Sequence, residues 1–256
     1  MKKILYIHVP KCGGTSITRA IKRTHFISEV LNRKKGIVSI YGGASRRSAE
    51  ILEESIGSYR IKLAMYSLSV SHNNVILGHI PYDNRFYDNF SENWNFVTLL
   101  RDPVERWYSE FYYTQKKTTN SPNSISFPTK EYLESKPAKI FATNYMRHFS
   151  SIPELYDFND LNDFNMENID WNFAEEQAIS NLKNFRVVGF LDDLEGFKNS
   201  YKKAFNKKLK IGHKNKGNTN TEREIPENIH NRVIELCKND TRIYNSIKKH
   251  FYEENQ

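Results

Sequence analysis

Lys11, Cys12, Gly13, Gly14, Thr15 and Ser16 put an ammonium, a thiol, two glycines and two hydroxyls into consecutive positions, directly behind the apolar run Ile4 to Val9 and Pro10. Ile17, Ala20 and Ile21 follow at the i, i+3, i+4 spacing of a helix face. Strand, glycine turn and helix start together make an anion site. The first amides of a helix lack partners within it, the dipole is positive there, and glycine lets the backbone come close to a phosphate. Two other chemistries fail on spacing. A Walker A loop, GxxxxGK[ST], carries its lysine after the last glycine, whereas Lys11 precedes both glycines, which disfavours an ordinary ATPase or GTPase. Thiolate phosphatases hold their arginine one residue closer to the cysteine than Arg19 stands from Cys12, which leaves Cys12 as a spacer in the loop.

A second constellation follows the apolar run Phe96 to Leu100: Arg101, Asp102, Pro103, Val104, Glu105, Arg106 and, further on, Ser109. Asp102 reads as an N-cap, Pro103 as the first helical residue and Glu105 as the partner in a start resembling a capping box. Arg101 then stands at the carboxyl end of a strand, where ligands bind in open α/β sheets, with Ser109 about two turns into the helix. A local ion pair of Arg101 with Asp102 is the plainer alternative. His79 closes the run Val75 to Leu77 in Gly78-His79-Ile80-Pro81. An imidazole with a pKa near about 6.5 suits removal of a hydroxyl proton at neutral pH, and parallel strands would put it on the same edge as the glycine turn. His8 reads as structural, inside the first strand; His72, His148 and His230 have no supporting pattern, and no metal site is expected.

The elements that must position these residues alternate. Strand-like runs at Ile4 to Val9, Val75 to Leu77, Phe96 to Leu100 and Phe185 to Leu191 are separated by helix-like segments at Thr15 to Arg23, Arg46 to Ile56, Pro103 to Lys116, Pro137 to Phe149, Asn172 to Leu182 and Leu194 to Phe205, with two more from Pro226 and Asp240. That order predicts an α/β fold with a central, mostly parallel sheet flanked by helices, in one domain over residues 1–256. The chain of 256 residues is 38% hydrophobic and 27% charged, long enough for a sizeable core. No apolar run approaches the roughly 18 residues of a membrane span; Met1-Lys2-Lys3 with the short run behind it does not read as a secretory leader. Two cysteines outside any CxxC pair argue against a disulfide scaffold, so a soluble chain in a reducing cytoplasm is expected.

The formal net charge of +8 calls for anionic partners without choosing among nucleic acid, a phosphorylated cofactor and an acidic glycan. Charge is also segregated: residues 154–176 carry eight acidic side chains and no Lys or Arg, and residues 198–216 carry eight lysines and no Asp or Glu. Either segment reads as a solvated face, the basic one alternatively as a wall of an anion site.

Pro10 to Ser16 resembles the PKxGGTS loop that holds the 5′-phosphosulfate of 3′-phosphoadenosine 5′-phosphosulfate (PAPS) in sulfotransferases, and Arg101 to Ser109 resembles their RDPxxRxxS motif for the 3′-phosphate. The likeness is to the carbohydrate sulfotransferases that include the heparan sulfate 2-O and 6-O enzymes and their bacterial relatives. It extends to the Gly-His at 78–79, Asn144 to Arg147, Val187 to Gly189 and the closing helix of Asn239-Asp240 to Tyr244. The resemblance implies a P-loop-like three-layer fold, and 5′-phosphosulfate contacts from Lys11, Cys12, Gly13, Gly14, Thr15 and Ser16. It further implies 3′-phosphate contacts from Arg101 and Ser109, and a cofactor-covering loop at 213–219 that includes Lys214. The reaction it implies is sulfuryl transfer from PAPS to a carbohydrate hydroxyl, with His79 as base, Lys11 on the leaving group, adenosine 3′,5′-bisphosphate as product, and no metal, nucleic acid or integral membrane segment. The rivals are a nucleotide-dependent kinase, which needs ATP and Mg²⁺, and a non-catalytic binder of nucleic acid or acidic glycan, which would bind through the lysines and leave both motifs without a role.

Overall fold

The computed structural model describes residues 3–31, 36–118, 127–156, 165–212 and 225–253. In chain order the elements are β1 (Lys3–Ile7), α1 (Gly14–Leu31), β2 (Ile37–Ile40), α2 (Gly42–Ile51), α3 (Ile56–Ser69), β3 (Val75–Gly78), α4 (Asn84–Phe90), β4 (Trp94–Leu100) and α5 (Pro103–Thr118). They continue with α6 (Lys130–Glu134), α7 (Lys136–Ala142), α8 (Asn144–Phe149), α9 (Pro153–Tyr156), α10 (Trp171–Lys183), β5 (Val187–Phe190), α11 (Leu194–Phe205), α12 (Glu227–Leu236) and α13 (Lys238–Glu253).

The five strands form one sheet in the order β2-β3-β1-β4-β5, and every pairing is parallel. Parallel sheets are covered on both faces, which is why their strands read as unbroken apolar runs. The period of two along each strand sorts the core into two layers. Ile4, Tyr6, Val97 and Leu99 join Ile17 and Ile21 of α1 and Phe197, Tyr201 and Phe205 of α11. Leu5, Ile7, Phe96 and Leu100 join Phe149 of α8, Leu182 of α10 and Ile243 and Ile247 of α13. A third cluster, centred on the fully buried Trp107 and on Phe111, ties α5 to α6, α7 and α12.

The strand order places the site. From β1 the chain moves outward to β2 on one side of the sheet; from β4 it moves outward to β5 on the other. Adjacent parallel strands with diverging connections leave a crevice at their carboxyl ends, and ligands of open α/β sheets bind there. The two residues groups that leave those ends are Pro10 to Ser16 after β1 and Arg101 to Ser109 after β4.

Three sequence expectations are corrected by the fold. A fifth strand, β2, lies at the sheet edge. The helix expected over Arg46 to Ile56 starts earlier and ends at Ile51 as α2; the chain then turns, with Glu53 at a left-handed φ of 54°, and α3, which was not expected, begins at Ile56. The helix expected over Pro137 to Phe149 breaks at Thr143, whose φ and ψ of −109° and 28° end α7.

Candidate active site

The backbone turns sharply between β1 and α1. Lys11 has φ 66° and Gly13 has φ 71°. For Lys11, a residue with a Cβ, that conformation costs about 1–2 kcal/mol, a strain of the kind held at functional sites. The two glycines serve different ends. Gly13 is exposed, and its positive φ is the freedom the turn needs. Gly14 is buried, and a Cβ there would lie 1.6 Å from Nε2 of His8, so its lack of a side chain makes room for an imidazole. Thr15 is exposed and Ser16 half-buried in the first turn of α1, where the Ser16 amide donates to the Gly13 carbonyl at 3.1 Å. Cys12 is fully buried, and burial pushes its thiol up to about 11, against the pull of Arg106. Protonated at neutral pH, it is no nucleophile. Cys12 and Cys237 are both unbridged.

His8 stands one residue beyond β1, where its N–H donates to the Gly78 carbonyl at 2.8 Å. Its ring stacks on that of His79 with centroids 4.0 Å apart. Nδ1 of His79 is 2.9 Å from the His8 carbonyl. A carbonyl only accepts, so Nδ1 carries the proton and Nε2 presents its lone pair, the tautomer a base requires. His79 is held below the ordinary imidazole range, first by burial and then by the Arg60 guanidinium, with the His8 carbonyl acting the other way. Arg60 comes from α3, donating from Nε to Ser45 Oγ at 2.9 Å and from Nη2 to the Gly42 carbonyl at 3.1 Å. Nothing in the sequence singled it out, because α3 was not among the expected helices.

Arg101 follows β4 directly. Its Nε donates to Glu105 at 3.2 Å, so the ion pair expected with Asp102 goes to Glu105 instead. Asp102 caps α5, accepting from the amides of Val104 and Glu105 at 3.0 Å each. The capping box is therefore half formed, with the Glu105 carboxylate turned to Arg101. Glu105 is 65% exposed, and an exposed pair of this kind is worth about 0–1 kcal/mol, so it holds Arg101 only weakly. Ser109 is half-buried two turns along α5. One turn further, the Tyr113 ring lies 3.8 Å beneath Nζ of Lys11. A cation–π contact thus lays the loop lysine along the helix of the second motif.

Behind both motifs lies Arg106, fully buried, with Nη2 donating to the Phe141 carbonyl and the guanidinium 5.9 Å from the Tyr145 ring centroid. Its charge and its place behind the site were missed by sequence reasoning, which had it only as a motif letter. Lys214 and the loop 213–219 lie outside the described residues. Among the described residues there is no group of three or more His, Cys, Asp or Glu side chains placed to hold a metal ion, and no helix is long and apolar enough to cross a membrane.

The carboxyl ends of the strands thus carry the Lys11 turn, the Arg101 turn and the His79 ring, brought together by Tyr113 under Lys11 and by the His8 ring between Gly14 and His79. A comparison with the curated proteins gives no match. The family models give one: the sulfotransferase family matches residues 1–246. On that match, and with the parallel sheet and its loop arrangement in agreement, the chain belongs to the sulfotransferase family and is a transferase.

Proposed function

We propose that this chain transfers a sulfuryl group from PAPS to a hydroxyl of a carbohydrate acceptor. The observation that carries the reading is the meeting of the Lys11 to Ser16 turn, the Arg101 to Ser109 turn and His79 at one crevice. The donor's two anionic ends fit what the residues offer. Exposed Gly13 leaves the turn open, the amides of Gly14 and Thr15 and the Thr15 and Ser16 hydroxyls are donors, and Arg101 adds a guanidinium paired with the exposed Glu105 carboxylate. Likeness of both motifs to the carbohydrate sulfotransferases supplies the acceptor class. The buried, unbridged thiols suit a reducing compartment such as the cytoplasm.

When bound, PAPS supplies an activated sulfuryl group on a phosphate leaving group. Lys11 and the loop amides present positive charge to the departing oxygen. Arg101 and Ser109 hold the 3′-phosphate and fix the donor's register. His79 accepts the acceptor's hydroxyl proton at Nε2, its other nitrogen being tied to His8.

Mass spectrometry of a glycan panel incubated with PAPS tests the reaction; a panel including acidic, neutral and lipid-linked saccharides without any mass gain of a sulfate would overturn it. The two roles separate by variant. Lys11→Ala should raise the barrier by about 2.7–4 kcal/mol, the scale seen when one donor to a developing oxyanion is removed, with some loss of donor affinity. His79→Ala should slow transfer by roughly 10²- to 10⁴-fold while leaving binding of adenosine 3′,5′-bisphosphate almost unchanged. Wild-type transfer by His79→Ala would end the base assignment.

A further inference from the structure

Tyr145 is fully buried, yet its hydroxyl reaches the turn after β4 from α8. There it accepts a hydrogen bond from the Arg101 N–H at 2.8 Å and donates to the carbonyl of the same residue. Arg101 is one residue past the last strand position and one before the N-cap of α5, so neither ladder nor helix serves its peptide groups. One phenol supplies a partner to both, which sets the backbone angles from which the Arg101 guanidinium leaves. The same oxygen lies 3.8 Å from Sγ of Cys12 in the first turn, a weaker contact than the two to Arg101.

Tyr145 is itself held from far along the chain. The N-cap of α8, Thr143, makes no side-chain bond to the helix start. The carboxylate of Asp240 on α13 does so instead, accepting from the amides of Tyr145 at 2.8 Å and Met146 at 3.3 Å. Asp240 is fully buried, and the positive charge acting on it comes from Arg106, fourth residue after the same Arg101 turn's cap. Asp240, the start of α8, the Tyr145 phenol and the Arg101 backbone therefore form one chain of contacts across the core.

We infer that Tyr145 is a positioning residue, its hydroxyl aiming Arg101 at the 3′-phosphate and Asp240 holding it in register; the inference rests on the proposed donor site. A purely packing role would let the phenyl ring suffice. A positioning role needs the oxygen, because without it the N–H and the carbonyl of Arg101 lose the hydrogen-bond partner they share and the turn relaxes.

Calorimetry with adenosine 3′,5′-bisphosphate and with AMP tests this on the full chain. Wild type should bind the bisphosphate more tightly; equal affinities would overturn the donor-site reading and this inference with it. Given that preference, Tyr145→Phe should weaken the bisphosphate roughly tenfold and AMP less than about twofold, and in turnover should raise KM for PAPS with kcat little changed. A Tyr145→Phe protein that melts lower but keeps the wild-type ratio of affinities would overturn the positioning role, as would equal losses for both nucleotides. Should Tyr145→Phe fail to fold, Asp240→Asn reads the same ratio: an amide offers one oxygen where the carboxylate offers two, so one amide at the start of α8 loses its acceptor. A several-fold drop in preference for the bisphosphate supports the inference, and an unchanged preference overturns it.

Discussion

His79 owes its state to burial and to two neighbours, His8 and Arg60, which are themselves part of a wider set of basic groups. His8 stacks on it and takes its Nδ1–H, Arg60 of α3 stands beside it, Arg46 of α2 acts on Arg60, and His148 of α8 feels it across the core. Burial and the cationic neighbour both disfavour imidazolium, so the neutral, proton-accepting form persists to lower pH than in an ordinary histidine. The acid limb of kcat/KM should accordingly lie below about 6.5. Arg60→Met removes the named charge and should move that limb to higher pH, whereas Arg60→Lys, which keeps the charge, should move it less. The pH–rate profiles of the two variants decide the matter: identical limbs in wild type and Arg60→Met would show that Arg60 does not tune the base.

At the scale of the element, the start of α1 is a packing problem. A methyl at position 14 would meet three atoms of the His8 ring within 2.4 Å, and that ring is pinned against His79. Gly14→Ala must displace one or the other, at a cost of about 1–3 kcal/mol for overpacking, and should lower both melting temperature and transfer rate. Adding His8→Ala removes the clash, so the double variant should be more stable than the sum of the single losses predicts. Thermal unfolding of the four proteins checks this; strict additivity would mean that the helix start yields and the ring does not.

The elements also show what the sequence made legible. β1, β3, β4 and β5 were readable because burial on both faces leaves continuous apolar runs, whereas three of the four residues of β2 are only half-buried and Ser39 interrupts the run. Ser55 accepts from the Ser58 amide at 3.1 Å, and this N-cap was a readable sign that α3 begins there. The motif residues were readable because strand, turn and helix start are contiguous in sequence. Arg60, the His8–His79 stack and the cap that Asp240 gives α8 depend on residues brought together only by the tertiary fold, so spacing could not expose them.

For the whole molecule, burial of neutral imidazoles sets the response to acid. His8 is pulled down to about 3, by burial and then by His79, and His25 to about 4, by burial and then by Lys207. His148 lies well below the ordinary range, by burial and then by Arg147. Each takes up its proton in the unfolded chain near about 6.5 and in the folded one only at lower pH, so the unfolded state binds more protons and stability falls as pH drops below that value. At pH 5 the cost is about 2 kcal/mol for each of His8 and His25. Asp240 works in the opposite sense: burial raises its carboxyl to about 7, so its ionised form is penalised at high pH and relieved as pH falls. One carboxyl against three such imidazoles leaves a net loss, and a chain already at +8 gains further self-repulsion in acid. Unfolding free energy should therefore decline between pH 7 and 5. His25 lies on α1 and bonds Tyr201 of α11 through Nε2 at 2.9 Å. His25→Gln keeps a polar partner for that tyrosine and removes one titrating group. Its stability should fall less steeply, by about 2 kcal/mol over the same interval. Parallel curves for wild type and His25→Gln in denaturant titrations at the two pH values would show that the buried imidazoles do not govern the acid response.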